Sequence, residues 1–137
     1  LAPQINEIFN SEEVLFEKIK KFTHSYISFV MEYPFLPQFI IQEMNNNPEF
    51  VAKFFKDEKR PDPSKLLKQI ETEIELGIIK PMSPKQLLLD IFSMTAFPFA
   101  AQTLVKGIIN ISNDEFFELM EERKIHISKQ IINAIKK

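Results

Sequence analysis

Apolar side chains between Leu15 and Tyr33 include those at positions 15, 16, 19, 22, 26, 29, 30 and 33. This recurrence of three and four draws a single stripe along an amphipathic helix. The spacing predicts a helix over 11–33, opened by Ser11 as its cap and closed at Pro34, whose ring disfavours helical backbone in the residue before it. A shorter helix is predicted from about Leu36 to Met44, with Leu36, Phe39, Ile40 and Met44 on related faces. "NNNP" breaks it and starts another short helical stretch through Phe54 and Phe55. "DEKRPDP" reads as a polar linker. Leu66, Leu67, Ile70 and Ile74 then mark a further helix, with Gly77 suited to the left-handed residue that ends it.

From Pro84 to about Ile109 the chain is apolar on most sides, so more than one face of that helix must be buried. Pro98 should kink it, because the ring removes one ladder hydrogen bond and clashes one turn back. The last helix, Ser112 to Lys137, carries Phe116, Phe117, Met120, Ile127, Ile131, Ile132, Ala134 and Ile135. Capping signals punctuate the chain at Asn47-Pro48, Asp62-Pro63, Ser83-Pro84 and Ser112, where Glu115 completes a capping box. The fold class is therefore all-α, with about six helices.

The 137 residues suit one domain with one core. Only two glycines argue against a turn-rich β protein and against a glycine-rich phosphate loop. A formal charge of -2 gives no strongly basic face for DNA. There is no cysteine, which removes disulfides, thiolate catalysis and cysteine-ligated zinc. No apolar run approaches a membrane span and the N-terminus lacks the order of a signal peptide, so a cytoplasmic protein without a membrane partner is expected.

Candidate chemistry is thin. His24 and His126 have no second metal ligand at a recognised spacing. The carboxylates gather in helix-surface runs such as "ETEIE" and "EFFELMEE", and no nucleophile stands beside a base. The expectation is no enzyme, no cofactor and no metal. Glu43 lies one turn after Phe39 and Ile40; it either enters an apolar enclosure to orient a ligand or faces solvent. Tyr26 and Tyr33 are the other polar handles on an apolar stripe. The last two helices present more apolar surface than a small monomer readily covers. Two copies of that pair would make a four-helix bundle across a two-fold axis, unless both helices are simply central in a monomeric core.

The order "YPFLPQFIIQEM", polar linker, "ELGIIKPMSPKQLLLDIFSM", "AFPFA" and a final amphipathic helix resembles the C-terminal regulatory domain of TetR-family (TetR/AcrR-like) bacterial transcriptional regulators. The matching residues are Tyr33, Pro34, Phe39 and Glu43; Gly77, Ile79, Pro81 and Pro84; and Phe97, Pro98 and Phe99. The resemblance spans essentially the whole chain. It implies that residues 1–10 are the remnant of a helix leading from an N-terminal helix-turn-helix domain outside this chain, and that 11–137 bind an effector and dimerise. Its implied pocket comprises Phe22, Tyr26, Phe29, Phe39, Glu43, Ile70, Ile74, Phe92 and Phe97. The implied homodimer interface comprises Phe99, Leu104, Phe116, Met120, Ile127 and Ile131. It further implies a repressor that leaves operator DNA when a lipophilic or aromatic molecule binds. A helical protein-protein interaction module without a small-molecule ligand is the alternative.

Overall fold

The stripe on 15–33 becomes the helix around which the rest is built. In the computed structural model, which describes all residues Leu1–Lys137, it is α2 (Leu15–Glu32), preceded by α1 (Ala2–Asn10). The chain continues as α3 (Leu36–Asn46), α4 (Pro48–Lys56), α5 (Ser64–Glu75), α6 (Pro84–Ala100), α7 (Gln102–Ile109) and α8 (Asn113–Ile135). The fold is all-α: eight helices and no strand. Helix α2 packs against α8, α6, α1 and α5, while α3 and α4 pair with each other and α3 leans on α6. Leu15, Ile19, Phe22, Ile27 and Val30 of α2 lie in one core with Ile70, Leu87, Ile91, Phe99, Phe116, Met120, Ile127 and Ile131.

Most caps act where the sequence places them. The Asn47 side chain accepts from the Glu49 and Phe50 amides at 3.1 and 3.3 Å, and Ser83 Oγ accepts from the Gln86 amide at 3.3 Å. In the Ser112 capping box the Glu115 amide donates to Ser112 Oγ at 3.2 Å and the Ser112 amide to Glu115 Oε1 at 3.4 Å. Gly77 has φ +74°. Its amide donates to Ile74 O and the Ile78 amide to Glu73 O, the paired bonds that satisfy orphan carbonyls at a helix end.

Three expectations need correction. Ser11 does not open α2; its hydroxyl donates to Ile8 O and closes α1, and α2 starts at Leu15. Asp62 does not cap α5 at the residue next to the helix. Its Oδ1 instead accepts from the Ser64 amide and hydroxyl, a local turn that sets the helix start and holds the Asp62 carboxyl below its ordinary value. The predicted 84–109 helix is broken, with α6 and α7 bent by 79° at Ala101. Pro98 lies inside α6 and removes the amide that Met94 O would need one turn back. No helix is long and apolar enough to cross a membrane.

Long-range polar side chains stitch the breaks. Arg123 of α8 donates to Met94 O through Nη2 at 2.8 Å and Nε at 3.3 Å, replacing the bond that Pro98 deletes. Buried Gln102, at the start of α7, donates to Pro34 O at 2.6 Å and so fixes the α2–α3 corner. Asn6 of α1 grips the polar linker: its Nδ2 donates to Lys59 O and Arg60 O at 3.1 and 2.7 Å, and its Oδ1 accepts from the Asp62 amide at 2.7 Å. Side chains thus meet backbone groups that an irregular chain leaves without a ladder partner, mostly at the surface and, at Pro34 O, in a part-buried position.

Candidate functional site

Aromatic residues spaced three and four apart on α2 meet rings from two other helices. Phe22 is buried, with its ring centroid 5.3 Å from Phe92 of α6, 5.9 Å from Phe9 of α1 and 5.9 Å from Tyr26. Phe9 and Phe92 are themselves 6.1 Å apart. These tilted pairs lie within the 4.5–7 Å range of favourable aromatic contacts. Burial raises the Tyr26 hydroxyl above its ordinary value and keeps it neutral, so this cluster is an apolar centre with one hydroxyl at its margin.

The structure brings only part of the expected pocket together. Phe22, Tyr26 and Phe92 share the cluster. Ile70 is buried in the same core, and Ile74 and Phe29 pack against it, Phe29 lying 5.2 Å from Tyr33. Phe39 and Phe97 are more than half exposed, and Glu43 is half-buried on α3. Surface clefts of about 480, 500 and 500 Å³ are present, and none of them is lined by an expected pocket residue. The rings fill the space between α1, α2 and α6 with one another. A ligand would enter by parting them.

The expected interface residues also need correction. Phe99 and Phe116 are fully buried and meet edge to face at 5.8 Å, and Met120, Ile127 and Ile131 are buried in the chain's own core. These five cannot reach a second copy while they fill this one. Leu104 alone of the set is exposed. The physical reason is that α8 spends its apolar stripe on α2 and α6. Exposed apolar side chains occur on the bent pair, where Leu89, Met94 and Phe97 on α6 and Leu104, Ile108 and Ile109 on α7 are 43% to 74% exposed, and also at Phe39 and Ile41 on α3, Phe55 on α4 and Leu119 and Ile125 on α8. A helix apolar all round cannot bury every face in so small a chain, and the 79° turn leaves much of α7 outside the core.

Sequence reasoning missed Asn6, Gln102 and Arg123. Pro98 announces an orphan carbonyl at Met94, yet nothing local says that Arg123, held half-buried 29 residues later, supplies the donor. No known family model, curated protein or solved structure matches the chain.

Proposed function

We propose that the chain is the effector-responsive, dimerising domain of a TetR-like bacterial transcriptional regulator, acting as a repressor. The order of residues that resembles that family supports the reading, as does an all-helical fold interrupted at Pro34, before Pro48 and at Ala101. The observation that carries the mechanism is the sharing of one aromatic cluster by α1, α2 and α6. Phe9 belongs to α1, so a lipophilic or aromatic molecule that parts Phe9, Phe22 and Phe92 must move α1. In the proposed whole protein α1 leads to the DNA-binding domain, and its displacement changes the separation of two recognition helices on the operator. A ligand does this to the extent that it binds the opened cluster better than the closed one. The exposed apolar surface on α6 and α7 is the surface for the second copy.

The test is a thermal-shift screen with lipophilic and aromatic compounds, followed by amide hydrogen exchange. A compound that stabilises the chain saturably and alters exchange in α1 supports the proposal. Stabilisation that leaves α1 unchanged contradicts the mechanism. A second reading, an interaction module whose α6–α7 face docks another protein, is favoured by one observation: the large clefts avoid the aromatic cluster while that face stands open. A chain that is monomeric alone and forms a one-to-one complex with another protein through Phe97 and Ile108 would support it.

A further inference from the structure

Lys18 is the one charged residue buried in the protein, at 2% exposed. It lies three positions after Leu15 and four before Phe22, so helical spacing puts it on the buried face of α2. Its Nζ has a single partner, Phe9 O, to which it donates at 2.9 Å. No carboxylate stands within ion-pair distance: the ion pairs of the chain join Glu17 to Lys20, Glu13 to Lys21, Glu12 to Lys65 and Glu121 to Lys124. An ammonium has three N–H donors and a full charge, and a buried one is ordinarily paired with an opposite charge.

Phe9 O belongs to the last turn of α1, where open carbonyls carry the negative end of the helix dipole. A second lysine meets the same helix end in very different surroundings. Lys65 Nζ donates to Asn10 O at 3.0 Å and to Glu12 Oε1 at 2.6 Å, and its side chain is 46% exposed. Lys18 has neither the water nor the carboxylate. Burial holds its ammonium below the ordinary value and repulsion from Lys65 adds to this, while Glu12, Glu13 and Glu73 favour the charged form. The helix above it is lightly held. α1 has nine residues, no side-chain cap at its start, and only Ile5 and Phe9 buried. A helix so short exists by its packing, not by its own propensity.

We propose that Lys18 is a release element for α1: a cation kept dry by the docked helix and hydrated when that helix lifts, which holds α1 closer to its lifted position than its apolar contacts alone would. The claim concerns α1 by itself and stands whether or not the regulator reading does. On that reading it lessens the work a ligand must do when it parts Phe9 from Phe22 and Phe92.

The experiment compares the 137-residue chain with Lys18→Met and Lys65→Met. Amide hydrogen exchange is read at Ile5, Ile8 and Phe9 of α1 and at Ile127 and Ile131 of α8, alongside urea unfolding. In the natural chain the α1 amides should exchange through a local opening, faster than those of α8. Methionine keeps the length of the stem without the charge and leaves Phe9 O unmet. An unmet carbonyl costs less than a dry ammonium with one neutral partner, so Lys18→Met should slow the α1 amides about fivefold or more. Lys65→Met removes a solvated contact and should leave them unchanged or faster. Faster α1 exchange in Lys18→Met would overturn the proposal and make Lys18 a clasp. An unchanged rate would overturn it even if urea showed the whole chain stabilised, because the gain would then not be tied to the lifting of α1. Equal slowing by both variants would overturn it as well, by assigning the effect to charge and not to burial. Should Lys18→Met not fold, the natural chain still decides: α1 amides that exchange only at the α8 rate have no separate release, and the proposal fails.

Discussion

Removing Pro98 should make Arg123 dispensable, and a double-mutant cycle can measure this. Met94 O lacks its ladder partner because residue 98 has no amide, and Arg123 supplies two charge-assisted bonds at 2.8 and 3.3 Å. Hydrogen bonds to charged groups contribute about 1.5–3 kcal/mol net. Arg123 is only half-buried, so competition from water and screening reduces the expected value to about 1 kcal/mol. Arg123→Met should cost that much in the natural background. In Pro98→Ala the new amide can return to Met94 O, and the same Arg123→Met change should then cost little. The coupling is thus about 1 kcal/mol, or about 3–4 °C in Tm for a chain of this size. Urea unfolding of the four proteins at one fixed concentration is the assay, since association would otherwise shift apparent stability. Additivity within about 0.3 kcal/mol would refute the reasoning, whatever the single changes do.

Phe22→Ala should cost about 3–5 kcal/mol because the ring is 3% exposed, while Phe39→Ala, at 56% exposed, should cost less than about 1; comparable losses in urea unfolding would show that the aromatic cluster is not packed as described. Asn6→Ala removes three exposed hydrogen bonds between α1 and the 57–63 linker and should lower stability by about 1–2 kcal/mol, with faster amide exchange at Asp62; an unchanged Asp62 rate would contradict the clamp. Burial raises the Tyr26 hydroxyl, so between its ordinary and folded values the unfolded chain gives up the proton first. That contribution to stability is present below about pH 10 and is lost as pH rises through the folded value. Tyr26→Phe should therefore lose less stability than the natural chain over the same alkaline range, and parallel curves would contradict the assignment.

Features with a local cause are legible in the sequence, and features with a distant cause are not. The capping box at Ser112, the Asn47 and Ser83 caps and the left-handed Gly77 are set by residues within a few positions, and each is found in place. The α2 stripe is equally local: Leu15, Ile19, Phe22 and Val30 are buried as expected, whereas Tyr33 is 50% exposed and the buried Ile27 lies outside the expected set. Ser11 misled because a serine between two helices can end one as readily as begin the next. Pro98 foretold a disturbance, but the 79° break falls three residues later at Ala101, and the donors that meet Pro34 O and Met94 O, Gln102 and Arg123, come from elsewhere in the chain. The candidate site is subject to the same limit. The resemblance implied that Phe22, Tyr26 and Phe92 converge, and the three share one aromatic cluster. It could not say that Phe9 joins them, nor that Phe39 and Phe97 are left outside. The α8 stripe was read as surface for a partner because apolar periodicity does not distinguish a core within one chain from a core between two.

The central claim is that the α6–α7 face is covered by a second copy of the chain. Its most direct test is the mass in solution, measured by sedimentation equilibrium over a wide concentration range for the natural chain and for a Phe97→Glu, Ile108→Glu double variant. Both residues are more than half exposed in the single chain, so the charges should leave its helical content intact. The natural protein should sediment at twice the chain mass and the variant at the single-chain mass, with equal circular dichroism. A natural chain that sediments as a monomer throughout, or a variant that still forms the same dimer, would contradict the claim.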